Sequence, residues 1–233
     1  MQERDLAGEF EIRAPWITKF AIDGKEYGGP FDPSKDPRVR QFAECFPGVS
    51  ELLELGSLEG GHTFMLARLA NVERVVAVEG RTGNIEKARF LQTLFGITNI
   101  QFVEANLERF DLSQLGRFDA IFCSGVLYHL PEPWRLIEQM SRVSANLFIW
   151  THYALEQEAK KVKGGYAGKL YREAGLSDPL SGLSQKSFWP TLNSLTAMLG
   201  RYGYEQIRIL EDNARHPHGA SVTLATTRVQ SLS

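Results

Sequence analysis

The feature that most constrains the fold is a regular alternation of short apolar runs with amphipathic segments between residues 50 and 150. The runs that predict strands are 50–55, 74–78, 100–103, 118–123 and 147–150. Between the second and third runs, apolar residues recur at helical spacing up to Gly96, which is typical of a helix end. Apolar strands joined by helices form parallel sheets that are covered on both faces. The sequence therefore predicts a doubly wound α/β domain, with helices on both faces of a mostly parallel sheet.

The last part of the chain predicts an antiparallel end to this sheet. Residues 190–202 carry leucines on one side of a predicted helix, and residues 204–210 and 220–227 alternate as two strands. The turn at 216–219 joins these strands as a hairpin. Added to the five parallel strands, the C-terminal hairpin gives a seven-stranded sheet.

Two segments interrupt the alternating pattern. Residues 1–37 mix aromatic residues with glycines and prolines, which predicts an irregular arm packed on the main domain. Residues 154–187 carry lysines and glycines that break any apolar period. An insertion at the carboxyl edge of a sheet often covers a substrate, although a solvated loop has the same composition. With 43% hydrophobic residues, the chain buries one sizeable core, so we expect a single domain over 1–233 with this arm and substrate cap.

Charge and cysteine content restrict the partners and the compartment. Lys and Arg number 26 against 28 Asp and Glu, a net charge of -2, so charge gives no support for nucleic-acid binding. Cys45 and Cys123 lie far apart in the sequence, and no disulfide is expected. No run approaches the roughly 18 apolar residues of a membrane span, and the start has no secretory apolar region. We therefore expect a cytoplasmic protein that does not bind a membrane.

The first predicted strand ends in an acid-x-Gly pattern that turns into a helix. Glu54, Gly56 and Gly60 carry this pattern. A ligand lying across the strand end leaves no room for a β-carbon, and glycine adopts dihedral angles that other residues disfavour. The helix that follows presents free N–H groups and the positive end of its dipole. Glu79 ends the second strand, where a carboxylate accepts hydrogen bonds from both hydroxyls of a ribose.

These residues resemble the motifs of class I S-adenosylmethionine-dependent methyltransferases. Residues 118–133 resemble the fourth motif of that family, in which a His-Leu pair precedes a helix that begins with proline. The resemblance implies a Rossmann-like methyltransferase with S-adenosyl-L-methionine as its cofactor. It also implies that Asn106 contacts the adenine amino group and that Ser124 and Gly125 line the methionine end. The full implied cofactor set is Glu54, Gly56, Ser57, Leu58, Gly60, Glu79, Gly80, Asn106, Leu107, Ser124 and Gly125.

His129 is the candidate catalytic base, because it follows the fourth strand on the side where the family's methyl group points. A neutral imidazole takes the proton from an attacking hydroxyl or amine. The alternative is that His129 only braces its loop by bonding a backbone carbonyl. Tyr128, His152 and Trp16 are the candidate substrate-binding residues. The acidic ligand spacing of metal-dependent O-methyltransferases is not visible, so no metal site is expected.

The methyl acceptor stays open between two classes. A small hydroxylated metabolite fits the charge balance of the chain. A tRNA is the alternative, because the Leu-Tyr-His stretch at 127–129 also resembles enzymes that alkylate the tRNA wobble uridine. The lysines at 160, 161, 163 and 169 would then contact phosphates.

Two further functional classes compete with the methyltransferase. An NAD-dependent oxidoreductase uses the same kind of sheet with an acidic residue at a similar distance. Its fingerprint needs glycine at position 58, and Glu59 would place a negative charge beside the pyrophosphate. A non-catalytic protein that retains the cofactor pocket is the other alternative.

Overall fold

The computed structural model describes residues 5–228. Its α-helices are α1 Leu6–Glu11, α2 Arg38–Cys45, α3 Gly61–Leu66, α4 Thr82–Phe95, α5 Pro133–Val143 and α6 Leu192–Arg201. Its strands are β1 Lys19–Ile22, β2 Lys25–Gly28, β3 Glu51–Leu55, β4 Arg74–Glu79, β5 Ile100–Glu104, β6 Ala120–Ser124, β7 Asn146–His152, β8 Lys161–Lys163, β9 Tyr166–Arg172, β10 Lys186–Pro190, β11 Tyr204–Asn213 and β12 Ser221–Arg228. The ends of the predicted domain, 1–4 and 229–233, lie outside the described residues.

The central sheet has seven strands in the order β11-β12-β7-β6-β3-β4-β5. Strands β3 to β7 run parallel, and β12 pairs antiparallel with both β7 and β11. The predicted fold class is therefore confirmed, including the antiparallel C-terminal hairpin. The chain runs outwards from β3 through β4 to β5 and then returns to β6 on the other side of β3. Ligands of open α/β sheets bind at such a reversal, outside the carboxyl ends of the strands.

Each face of the sheet is covered by its own hydrophobic core. On one face, Leu53 and Leu55 of β3 belong to a cluster with Met140 of α5 and Leu199 of α6. On the other face, β3 contributes Leu52 to a cluster that includes residues of α2, α3 and α4. Because successive side chains of a strand point to opposite faces, one short apolar run supplies both cores. This burial explains why the central strands are apolar throughout.

The N-terminal arm is more regular than the sequence predicts. It contains α1 and a β1–β2 hairpin, and its aromatic residues pack into the core on the α2–α4 side of the sheet. Phe10 lies at the centre of this packing, with its ring centroid 4.7 Å from Trp16 and 5.0 Å from Tyr27. The aromatic residues of the arm are therefore anchors to the main domain.

The insertion at 154–187 also forms strands that the sequence did not predict. Strands β8, β9 and β10 make a separate antiparallel sheet in the order β10-β9-β8. The Phe188 N–H of β10 donates to the Leu130 carbonyl 2.9 Å away, which joins this small sheet to the chain after β6. Residues 173–185, here called the cap loop, connect β9 to β10 and reach the carboxyl edge of the central sheet.

No helix within residues 5–228 combines the length and the apolar character needed to cross a bilayer.

Candidate active site

A cavity of about 450 Å³ lies at the carboxyl ends of β3, β4, β5 and β6, where the strand order reverses. Nine of the predicted cofactor residues line it, namely Gly56, Ser57, Leu58, Glu79, Gly80, Asn106, Leu107, Ser124 and Gly125. The carboxyl ends of neighbouring parallel strands meet at one edge, so residues that are far apart in sequence converge there. The other two, Glu54 in β3 and Gly60 in the bend between β3 and α3, are not part of the cavity wall.

The bend between β3 and α3 adopts left-handed backbone angles at Gly56 (φ +78°), Leu58 (φ +50°) and Gly60 (φ +87°). A β-carbon at Gly56 would lie 2.4 Å from Cγ2 of Val126, in the loop after β6. The close approach that requires this glycine is therefore made by the protein's own side chain, whereas the sequence suggested the cofactor. Leu58 is held in its unfavourable conformation because its N–H donates to Glu79 Oε2 over 2.9 Å.

Glu79 links the bend to the next strand. Its Oε1 accepts hydrogen bonds from the Arg81 N–H at 2.9 Å and from Asn84 Nδ2 at 3.3 Å, besides the Leu58 bond to Oε2. Burial raises the pKa of Glu79 above its usual value, and these hydrogen bonds oppose the rise. A carboxylate offers about four acceptor positions. Glu79 thus retains acceptor capacity towards the cavity that it lines.

Unsatisfied polar groups surround the bend. Ser57 Oγ and Glu54 Oε2 are buried and have no hydrogen-bond partner within residues 5–228. Burial, together with the charge of Glu79, raises the pKa of Glu54 to about 8, so this carboxyl group is protonated at neutral pH. Ser57 borders the cavity, and buried polar groups are almost always hydrogen-bonded in folded proteins. The wall therefore fits a ligand that brings its own polar atoms.

Asn106 makes a turn of its own after β5. Its Oδ1 accepts a hydrogen bond from the Glu108 N–H over 2.9 Å, and its carbonyl accepts from the Arg109 and Phe110 N–H groups. Asparagine commonly stabilises turns in this way. The side chain also borders the cavity, and its Oδ1 keeps a second lone pair.

Arg38, at the start of α2, is a cavity residue that the sequence did not indicate. Its Nη1 donates to Ser124 Oγ over 2.6 Å, and its guanidinium lies 4.7 Å from the ring centroid of Trp150. Asp36 accepts from Arg38 Nε at 2.8 Å and from His62 Nε2 at 3.3 Å. Burial by itself would raise the pKa of Asp36, but these hydrogen bonds hold it well below its usual range. Arg38 follows an Asp-Pro pair and belongs to no periodic pattern, so nothing in the sequence indicated that it lines the site.

Tyr128 and His129 border the cavity from the single helical turn that follows β6. Their ring centroids lie 4.0 Å apart. The Tyr128 ring also contacts Trp150 at 5.9 Å and His152 at 4.7 Å. Burial raises the pKa of Tyr128 above its usual value, so its hydroxyl stays protonated at physiological pH.

His129 meets a carboxylate that the sequence did not single out. Its Nδ1 lies 3.1 Å from Oε2 of Glu173, the first residue of the cap loop. Burial would raise the pKa of Glu173, but hydrogen bonds from His129, Ser187, Gly182 and Ser181 lower it to about 2. The brace that holds His129 is therefore an ionised carboxylate, whereas the sequence suggested a backbone carbonyl.

The cap loop contributes residues 179–183 to the wall of the cavity. Arg81 Nη2 donates to three of its carbonyl groups, those of Gly175 at 3.0 Å, Asp178 at 2.9 Å and Ser181 at 2.8 Å. Ser184 Oγ donates to Glu108 Oε2 over 2.7 Å. The cap loop is therefore fastened to the segments that follow β4 and β5.

Two of the predicted substrate residues do not line the cavity. Trp16 packs in the aromatic core of the arm, where its Nε1 donates to the Phe10 carbonyl over 2.8 Å. His152 is buried behind Tyr128, with its ring stacked on Trp189 at 5.1 Å and its Nδ1 donating to the Gly219 carbonyl. Of the three predicted substrate residues, Tyr128 alone borders the cavity that residues 5–228 form.

The fold and this site match known proteins. A family model described as "Methyltransferase domain" matches residues 53–146. The N-terminal domain of EvdMO1, crystallised in the presence of S-adenosylhomocysteine (SAH) and D-fucose, is 34% identical to this chain with a TM-score of 0.88. That likeness covers 99% of this chain and 98% of the EvdMO1 domain. The chain belongs to the class I S-adenosylmethionine-dependent methyltransferases.

Other relatives of this methyltransferase are more distant or longer. A tRNA U34 carboxymethyltransferase of Alteromonas mediterranea is 28% identical over 185 residues, which cover 76% of this chain and 51% of that protein. This methyltransferase thus spans about half the length of the curated relative it matches. Magnesium protoporphyrin IX methyltransferase from Synechocystis PCC 6803 is 16% identical with a TM-score of 0.56, over 83% of this chain and 77% of that one. That likeness concerns the fold alone.

The cofactor of this methyltransferase is S-adenosylmethionine, as predicted. The cavity fits it, because Glu79 and Asn106 retain acceptor positions, Ser57 Oγ has no partner within residues 5–228, and all three residues line the cavity at the reversal of the sheet. Within residues 5–228, no three His, Cys, Asp or Glu side chains are grouped so that they could hold a metal ion.

Proposed function

We propose that this methyltransferase transfers the methyl group to a hydroxyl of a small, sugar-like acceptor. The observation that carries the proposal is the cap loop, which walls a cavity of about 450 Å³ that Tyr128 and His129 also line. Such a volume lies within the range of small-molecule sites. The D-fucose present with the similar EvdMO1 domain supports a sugar as the acceptor class. In this proposal, residues 154–187 are the substrate cap of a single methyltransferase domain.

The residues at the strand ends hold the cofactor. Glu79 accepts hydrogen bonds from the ribose hydroxyls, the bend at 56–60 lies against the amino acid part, and Asn106 with Leu107 contacts the adenine. Arg38 and Ser124 are joined by a hydrogen bond of 2.6 Å on the wall next to Trp150. A guanidinium there binds the carboxylate of the methionine end, since arginine pairs readily with carboxylates.

The bound sulfonium supplies an activated methyl group, so the protein has to align the acceptor and remove its proton. His129 takes that proton from the acceptor hydroxyl, and the Tyr128 hydroxyl donates a hydrogen bond that orients the sugar. The aromatic rings of Tyr128 and Trp150 exclude water from one side of the acceptor. A positioned general base contributes roughly 10²- to 10⁴-fold to the rate.

A tRNA acceptor has weaker support from the structure. Two of the lysines that would contact phosphates are engaged within the protein. Lys163 Nζ donates to the Pro131 carbonyl over 3.0 Å. Lys169 Nζ is paired with Glu158 at 3.0 Å and lies over the Trp189 ring.

Calorimetry with SAH and with NAD tests the cofactor assignments. Wild type should bind SAH but not NAD, and Glu79→Ala should weaken SAH binding by about 1.5–3 kcal/mol, or roughly 10- to 150-fold. Glu104→Ala is the matched control, because Glu104 lies next to Glu79 in the register of β4 and β5 but does not border the cavity. Equal SAH affinity in both variants would remove Glu79 from the cofactor site.

SAH production tests the acceptor. We expect turnover with a panel of free deoxyhexoses that includes D-fucose, and none with bulk tRNA. Turnover should fall roughly 10²- to 10⁴-fold in His129→Ala. Methylation of tRNA without methylation of any sugar would refute the sugar proposal, and full activity of His129→Ala would exclude it as the base.

A further inference from the structure

We propose that Glu173 is a positioning residue that fixes the proton of His129 on Nδ1, leaving Nε2 to accept the proton of the substrate only when the cap loop is seated. This inference rests on the proposed role of His129 as the base.

The surroundings of Glu173 supply only donors. Its side chain is 1% exposed, and its Oε2 lies 2.8 Å from both Ser181 Oγ and the Gly182 N–H, besides His129 Nδ1 at 3.1 Å. Its Oε1 accepts from Ser187 Oγ over 2.5 Å. An ionised carboxylate accepts hydrogen bonds and donates none, so His129 must donate through Nδ1–H. The neutral imidazole then has its lone pair on Nε2.

The same carboxylate closes the cap loop. Glu173 is the first residue of the loop, and Ser181 and Gly182, near the other end of the loop, donate hydrogen bonds to its carboxylate. A β-carbon at Gly182 would lie 2.8 Å from the His129 carbonyl, so the loop packs directly on the backbone of the turn that carries the base. Displacing the cap loop would therefore remove the proton acceptor of Nδ1 and one wall of the cavity together.

The arrangement also suits the charge that develops during proton transfer. The acceptor O–H bond breaks, its proton forms a bond to His129 Nε2, and the imidazolium carries its positive charge beside the Glu173 carboxylate. A buried ion pair of this kind is strengthened by the low local polarity. The side-chain distance of 3.1 Å requires no movement for this stabilisation.

Nitrogen NMR of histidine-labelled wild-type protein, with SAH added as the probe, tests the inference directly. The His129 signal, assigned by its loss in His129→Ala, should show the proton on Nδ1 and a free Nε2. Glu173→Gln should reduce the population of that tautomer. The glutamine amide has one acceptor oxygen for donors that now share two, so His129 Nδ1–H competes with the other donors for it. A proton on Nε2 in wild type would overturn the inference, whether or not Glu173→Gln folds and any sugar is turned over.

A double-mutant cycle separates positioning from simple support of the loop. With D-fucose, or with whichever sugar of the panel is methylated, Glu173→Gln should lower kcat roughly 10- to 100-fold with little change in SAH affinity. In the His129→Ala background the same change should have almost no further effect. Ser187→Ala, which loses a hydrogen bond to the same carboxylate but leaves Oε2 facing His129, is the matched control and should lower kcat less than fivefold.

The outcomes also distinguish the two proposals. If His129→Ala retains full turnover, the base assignment fails and this inference fails with it. If His129→Ala is impaired but Glu173→Gln is equally harmful in both backgrounds, the base assignment stands and the positioning role of Glu173 is refuted.

Discussion

Gly56→Ala tests why the bend at the cofactor site needs glycine. The new methyl group would lie 2.4 Å from Val126 Cγ2, at a residue whose φ is +78°. The left-handed conformation costs an alanine about 1–2 kcal/mol, and forcing a methyl group into a packed site costs about 1–3 kcal/mol. The free energy of unfolding should therefore fall by about 2–5 kcal/mol, which for a chain of this size lowers the Tm by roughly 4–20 °C.

The assay is urea unfolding of the protein without cofactor, with two matched variants. Gly96→Ala isolates the backbone contribution, because φ there is +64° and a β-carbon meets no other described atom within 4 Å. Gly96→Ala should cost about 1–2 kcal/mol. Gly56→Ala combined with Val126→Ala removes the clash, so the double variant should be more stable than the sum of the single changes predicts, by at least about 1 kcal/mol.

The Val126 explanation also predicts an effect on the site. The Val126 carbonyl accepts the His129 N–H over 2.9 Å, so pushing Val126 away displaces the turn that carries His129. Turnover should fall in Gly56→Ala and recover partly in the double variant. The reasoning is refuted if Gly56→Ala is no less stable than Gly96→Ala and loses only SAH affinity, since the glycine would then serve the approach of the cofactor.

Two more predictions concern the cap loop and the buried carboxyl group. Arg81→Ala removes the donors to four cap-loop carbonyls; we expect faster amide hydrogen exchange at 175–182 and a roughly 5- to 30-fold rise in the KM for the acceptor. Arg89→Ala, in the helix that follows Arg81 but away from the cavity, should change neither. Unaltered exchange in Arg81→Ala would show that this side chain does not hold the loop. The pKa of Glu54 is raised to about 8 from 4.5, so the folded state binds the proton more tightly and stability falls as pH rises between these values. Glu54→Gln should remove that part of the decline when unfolding is measured at pH 5, 6.5 and 8, and parallel curves for both proteins would contradict the burial argument.

The sequence by itself determined the sheet and the positions of most of the proposed cofactor residues. Continuous apolar runs that supply both cores have a recognisable pattern, and parallel strands necessarily bring their carboxyl ends to one edge. Gly56, Glu79 and Asn106 follow predicted strand ends, so their convergence at the cavity could be expected before any coordinates. The helix end at Gly96 was also predictable, because glycine readily adopts the left-handed conformation that ends many helices.

Only the tertiary structure decided which other side chains complete the site. Arg38 meets Ser124 across 86 positions of sequence, and Glu173 meets His129 across 44. No local period encodes such pairs, because each depends on how an arm or an insertion packs against the sheet. The same packing placed Trp16 in the core and Val126 against Gly56. Local patterns specify elements and the edge where they end, whereas contacts between segments distant in sequence specify what that edge can bind.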